Sequence, residues 1–167
     1  MASDQKADTF ETPPYEEIPE ITRNHVAFLE STDDEEAWLS AGMKSVIIET
    51  IGRKSGKAHK VVLPYWADAG GHRIIAASYA GGPVNPAWYH NLADRQANPT
   101  IWVKERGSEA HCRADILEGE DYETVWQGLT NDRPWYLDYL AKTKRKFIPL
   151  IRLVEPEPHR AGFSLTS

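Results

Sequence analysis

The chain predicts a mainly β domain: a small antiparallel barrel of about six strands, with inserted helices and a helical extension at the N-terminus. Six short runs rich in β-branched and aromatic residues, at 45–50, 60–67, 72–78, 100–104, 109–117 and 148–155, are mostly joined by turn signals. The helical stretches fall together at 86–96 and 119–143 rather than once per strand, which suits a decorated barrel better than a doubly wound βαβ sheet. With 167 residues, 41% of them hydrophobic, the chain fits one domain whose core is large enough to enclose a ligand.

Residues 1–16 form an arm in which Pro13 and Pro14 oppose helix. From 17 to 30, Ile18, Ile21, His25, Phe28 and Leu29 recur at roughly helical spacing and predict an amphipathic helix. Thr32 and Glu35 fit a capping box and Gly42 a C-cap, so a second helix is expected over 32–42. These two helices either cover the core or cap a site. After the first strand comes a glycine-bounded loop, then the strand at 60–67, and Asp68-Ala69-Gly70-Gly71 marks a hairpin into the third. Tyr79-Ala80-Gly81-Gly82-Pro83 is a second bend. Asn85 as N-cap and Pro86 at the first helical position open the helix at 86–96, which Asn98-Pro99 closes. Arg106-Gly107-Ser108 joins the next two strands; helices at 119–130 and 132–143 and a last strand complete the core. The expected division is an arm with helices over 1–44, a barrel core over 45–155 and a tail over 156–167.

The most informative stretch is Gly52-Arg53-Lys54-Ser55-Gly56-Lys57-Ala58-His59-Lys60. Arg53, Lys54, Lys57 and Lys60 are four of the chain's 19 basic residues, and none of its 25 acidic residues falls there, although the net charge is -6. Gly52 and Gly56 allow a tight bend and close approach of a ligand to the backbone. Guanidinium, ammonium and exposed N–H groups together suit a phosphate or carboxylate; the plain alternative is a solvated basic turn.

Other chemistries lack their patterns. Three residues, not four, separate Gly52 from Gly56, and Ala58 rather than Ser or Thr follows Lys57, so the loop is not a Walker A motif. No G-x-G-x-x-G is present. The acidic balance argues against nucleic acid. No run of eighteen apolar residues suggests a membrane span, and an acidic N-terminus without an apolar segment, with the lone Cys112, suggests a reducing cytoplasm. The histidines, at 25, 59, 72, 90, 111 and 159, show no ligand spacing, so no metal is expected. Ser78 lies in Ala-Ala-Ser-Tyr-Ala, not in a nucleophile elbow.

Taken together, Thr50-Ile51-Gly52-Arg53-Lys54-Ser55-Gly56-Lys57, Ala76-Ala77-Ser78-Tyr79-Ala80-Gly81-Gly82, Asn85-Pro86-Ala87-Trp88-Tyr89-His90-Asn91-Leu92 with Ala97-Asn98-Pro99, Trp135-Tyr136-Leu137-Asp138-Tyr139 and Ile148-Pro149-Leu150 give the chain a family likeness. In this order and spacing, over about 45–155, the chain resembles the deazaflavin-dependent nitroreductase family, the A-type reductases that use coenzyme F420. The resemblance implies an FMN-binding split β-barrel fold that passes a hydride from reduced coenzyme F420 to a quinone, nitroaromatic or activated enone. It implies that Arg53, Lys54 and Ser55 hold the cofactor's phosphate and polyglutamate tail, with Lys57 and either His59 or Lys60 beside them. The strand Lys60, Val61, Val62, Leu63, Pro64, Tyr65 would lie along the ring, and Ala76, Ala77, Ser78, Tyr79, Ala87, Trp88, Tyr89, His90 and Asn91 would meet ring and linker. Arg133 departs from the pattern: some relatives carry an aromatic residue three positions before the equivalent of Tyr136.

Because a deazaflavin donates two electrons as hydride, the protein's share is binding, orientation and electrostatics. Charge developing on the acceptor needs a donor, for which Ser78 and Tyr136, then Tyr139, are the candidates; Tyr136 would also touch the cofactor. Against this, Ser78 can simply satisfy its strand end, and Tyr136 and Tyr139 can be core residues. Lys142, Lys144, Arg145 and Lys146 read as a helix C-terminus complementing its dipole, or as further cations for the tail. The rival readings are a non-catalytic carrier of a fatty acid or haem and an FMN-dependent reductase. Peripheral membrane contact is left open, as is the oligomeric state.

Overall fold

A computed structural model of the chain describes residues 15–156. The expected arm up to residue 14 and tail from 157 lie outside the described residues. Within them run the strands β1 (Leu39–Ser40), β2 (Met43–Ile51), β3 (Ala58–Pro64), β4 (Trp66–Ala67), β5 (Arg73–Ala76), β6 (Ile101–Glu105), β7 (Ser108–Ile116) and β8 (Leu150–Val154). The helices are α1 (Ile18–Glu30), α2 (Ala87–Ala93), α3 (Gly119–Asp132) and α4 (Trp135–Lys142).

All strand pairs are antiparallel: β2 with β3 and β6, β6 with β7, β7 with β8, β8 with β5, and β5 with β4. The expected strand at 60–67 bends at Tyr65, whose N–H turns to the Lys44 carbonyl at 2.9 Å, and so becomes β3 and β4. Counting those two as one stave, the six expected strands are the six staves of a ring that returns to β2. The ring is split, because β3 pairs with β2 along one edge only and β4 meets β5 over just two residues.

Alternation along the staves fills the interior with Val46 and Ile48, Ile75, Ile101 and Val103, Cys112 and Ala114, and Ile151 and Leu153. Trp88 and Leu92 of α2 plug this interior. Several strands are buried on their outer faces as well, which is why they read as continuous apolar runs. Ile74 and Leu150 lie under Tyr122, Val125, Leu129 and Tyr136 of α3 and α4; Ile47 and Val62 lie under Val26 and Leu29 of α1 and under Trp38. Gly128 lets α3 sit close, since a Cβ there would come within 2.8 Å of the Trp66 ring.

Some local expectations give way. Residues 32–42 form no α-helix. Thr32 accepts the Asp34 N–H at 3.1 Å instead of capping a helix with Glu35, a 3-10 turn follows at Glu36–Trp38, and β1 pairs with β2. Ala41 (φ 51) and Gly42 (φ 86) make the two-residue connection of that hairpin. A helix C-cap and a type I′ turn both call for a left-handed residue, so Gly42 alone does not tell them apart. Asn85 does not cap α2: Pro86 occupies the N-cap position, and the Asn85 amide oxygen accepts from Arg145 at 2.6 Å. Helix α3 runs two residues past expectation, to Asp132, and Pro134 delays α4 to Trp135.

Candidate functional site

Along the edge of β3 that pairs with no other described strand runs a groove of about 790 Å³. Val61, Val62 and Leu63 form its floor; Ile18, Arg23 and Val26 of α1 make one wall; Tyr79, Pro86, Ala87, Trp88 and Asn91 make the other; Gly52, Arg53, Lys54, Ser55, Ala58, His59 and Lys60 close one end, with Glu49 nearby. An apolar trough with a cationic end is the arrangement that takes a flat ligand carrying an anionic tail.

The cationic loop is built by its own backbone. Gly52 N–H donates to the Lys57 carbonyl at 2.7 Å, Gly56 N–H donates to the Gly52 carbonyl at 2.8 Å, and Ser55 Oγ accepts the Lys57 N–H at 3.1 Å. Gly56 takes φ 72, and a Cβ on Gly52 would lie 2.5 Å from Ser55 Oγ and 3.1 Å from His59 Nε2. The tight loop leaves Arg53, Lys54 and Ser55 exposed.

A bracket of buried amides fixes the loop to the barrel. Asn91, 5% exposed, accepts on Oδ1 from the Arg53 N–H at 3.2 Å and from Arg53 Nη1 at 3.0 Å, and its Nδ2 donates to Thr50 Oγ1 at 3.3 Å. Asn98 donates to the Ile51 carbonyl at 2.9 Å and to the Asn91 carbonyl at 2.7 Å, while its Oδ1 accepts the Ile51 N–H at 2.7 Å. Satisfied buried amides of this kind specify one geometry; here that geometry aims the Arg53 guanidinium.

His59 and Lys60 part company. The Lys60 ammonium pairs with Glu30 at 2.5 Å and lies 5.1 Å from the Trp102 ring centre, so it is drawn away towards the end of α1. The hydrogen bond it donates to Glu30 is the main cause of its raised pKa, partial burial opposing. His59 packs against Gly52 and faces the loop.

Of the expected site residues, Arg53, Lys54, Ser55, His59, Lys60, Val61, Val62, Leu63, Tyr79, Ala87, Trp88 and Asn91 line the groove. The others stand elsewhere. Lys57 is exposed on the loop, Pro64 sits at the bend beyond the floor, and Ala76 and Ala77 belong to β5 and the core behind the wall. Tyr65 turns into the barrel and donates to Glu105 at 2.5 Å; burial first, then that carboxylate, drives its pKa far up. Tyr89 packs on the core and meets His90 edge to face. Burial, then the Arg53 charge, lowers the pKa of His90. Ser78 and Tyr139 are absent from the lining, and so is Tyr136, which is 5% exposed and packs with Tyr122 and Leu129 under α3. Burial pushes the Tyr136 phenol up to about 12, with Arg133 opposing. The α1 wall, with Arg23, was not assigned by the sequence reading, because amphipathic spacing marks a helix face without naming what it covers. Among the described residues no helix is long and apolar enough to cross a membrane, and no cluster of three His, Cys, Asp or Glu could hold a metal.

A family model described as F420H(2)-dependent quinone reductase matches residues 21–155. An F420H(2)-dependent quinone reductase of Mycobacterium tuberculosis (strain H37Rv) is 30% identical over 112 residues, which are 65% of this chain and 72% of that protein. Among solved structures, an F420-H2 dependent reductase is 34% identical and superposes with a TM-score of 0.54, covering 65% of this chain and 92% of that one. A chain described as a domain-swapped dimer is 29% identical, with a TM-score of 0.56 over 78% of this chain and 95% of that one.

Proposed function

Because the chain belongs to the F420H(2)-dependent quinone reductase family, we propose that its groove binds reduced coenzyme F420 and that the protein reduces a quinone, nitroaromatics and activated enones being further electron-poor acceptors. The observation that carries this reading is the polarity of the groove, apolar along Val61, Val62, Leu63 and Trp88 and cationic at Arg53 and Lys54. The residues fit the cofactor. The trough takes a planar ring, while Arg53, Lys54 and the amides of the glycine-bounded loop take a phosphodiester and carboxylates. Bound there, the reduced deazaflavin supplies a hydride.

The chain's own work is to hold and to protonate. The Asn91 bracket fixes Arg53, and His59, rather than Lys60, joins the anion-binding end. Reducing a quinone to a hydroquinone consumes a hydride and a proton, and the group supplying the proton must reach the acceptor. Tyr79 is the one phenol among the described lining residues, so Tyr79 Oη is the donor, recharged from solvent. Ser78, Tyr136 and Tyr139 support the wall from behind.

The test is a fluorescence titration of the purified protein with oxidised deazaflavin, FMN and a fatty acid, followed by mixing with reduced deazaflavin and menadione. Binding of the deazaflavin in preference to the other two, with menadione-dependent consumption of its reduced form, is expected. Preference for FMN, or binding of fatty acid without turnover, overturns the reading.

A further inference from the structure

The turn that carries Tyr79 is wound the wrong way for L-residues. Tyr79, Ala80 and Gly81 have φ of 49, 53 and 79. Two consecutive non-glycine residues in this region persist only where their surroundings over-determine them.

The surroundings come from the end of α4 and the short segment that follows it. Arg145 Nη1 donates to the Ala77 carbonyl at 2.6 Å and Nη2 to the Ser78 carbonyl at 2.7 Å. Thr143 Oγ1 donates to the Gly82 carbonyl at 2.6 Å, and Lys142 Nζ reaches the Ala80 carbonyl at 3.4 Å. Four carbonyls on either side of and within the turn are thus gripped. Arg145 also donates to Asn85 Oδ1 at 2.6 Å and through Nε to Thr143 Oγ1 at 2.8 Å, so it ties the entry to the turn, its exit and its own anchor together. All its acceptors here are neutral oxygens, so this cation is placed by geometry rather than by a carboxylate. The space behind is closed too: a Cβ on Gly81 would meet Lys142 Cδ at 3.0 Å and Tyr139 Cα at 3.3 Å.

We propose that Arg145 is a positioning residue: with Lys142 and Thr143 it holds the Tyr79–Gly81 turn left-handed and so seats the Tyr79 side chain in the groove wall. The consequence for turnover rests on the function proposed above; the consequence for the turn does not. It also gives the second basic cluster a role in building the wall that neither dipole compensation nor tail recruitment would require.

Hydrogen exchange of the unliganded protein reads the turn directly. Gly81 N–H donates to the Ser78 carbonyl and Gly82 N–H to the Tyr79 carbonyl, both at 2.9 Å. In Arg145→Ala these two amides should exchange about tenfold faster or more, while the amides of β2 and β6 keep their protection. Arg145→Lys and Thr143→Val should each show a smaller rise, and they carry the test if Arg145→Ala fails to fold. Turnover of menadione then separates positioning from general damage. Arg145→Ala should lower kcat about tenfold in the wild-type background and less than about twofold in a Tyr79→Ala background, because a residue acting through Tyr79 has nothing left to position. Unchanged protection of Gly81 and Gly82 overturns the proposal whether or not deazaflavin is used. Equal losses in both backgrounds overturn it as a statement about Tyr79.

Discussion

Replacing Asn91 by alanine separates what the cationic end owes to its exposed charges from what it owes to the buried amide behind them. The amide makes three hydrogen bonds, one with a guanidinium and two with neutral groups. At about 1.5–3 kcal/mol for the charged bond and about 0.5–1.5 for each neutral one, the gross loss is about 2.5–6 kcal/mol. Water can replace the acceptor lost by exposed Arg53, whereas Thr50, 1% exposed, is out of its reach. A net destabilisation of about 2–3 kcal/mol is therefore expected, or a fall in Tm of about 5–10 °C. A guanidinium no longer held in place should also bind the cofactor tail about tenfold more weakly, a difference of about 1.4 kcal/mol. Thermal unfolding measures the first effect and deazaflavin titration the second. A variant that melts early but binds as the wild type does would refute the idea that the amide bracket aims Arg53.

Lys54→Ala should weaken deazaflavin binding about tenfold or more through loss of a charge-assisted bond, and raised salt should weaken binding in the wild type because the loop is exposed; wild-type affinity in the variant would make the loop a solvated turn. Tyr79→Phe should lower kcat with menadione while leaving the deazaflavin Kd nearly unchanged, and an unaltered rate would take the proton from another donor. Tyr122 and Tyr136 have phenols pushed up to about 12, burial being the first cause in each. Unfolded tyrosine ionises near 10, so these groups stabilise the fold fully below about pH 10, and that contribution is lost as the pH rises from there to about 12. Urea unfolding across that window should show the decline, and Tyr136→Phe should flatten it; an equally steep decline in the variant would refute the assignment.

The strand staves and the cationic loop were legible because both are local: period-two apolar runs bounded by turn residues, and four cations between two glycines. The role of α2 as the barrel's plug was only half legible. Its Trp88 and Leu92 signal burial, but nothing near Asn91 or Asn98 in sequence says that they meet Thr50, Ile51 and Arg53 about forty residues earlier. The left-handed turn was invisible for a similar reason. Tyr-Ala-Gly has no preference for that conformation in its first two residues, and the donors that enforce it come from Lys142, Thr143 and Arg145, over sixty residues downstream. Ser78 and Tyr136 were chosen by chemical type, and type does not report that one gives its carbonyl to Arg145 while the other packs beneath α3. At 32–42 the error was one of degeneracy, since Gly42 serves a hairpin as well as it would serve a helix end.

The seam left beside β3 has a meaning of its own. Because that stave keeps one row of main-chain donors and acceptors that no described strand claims, the polypeptide can grip a guest with atoms that every amino acid possesses. Exchanges among small aliphatic residues at Val61, Val62 and Leu63 would then reshape the berth without erasing its hold, so new acceptors could be accommodated while the hydride carrier is retained.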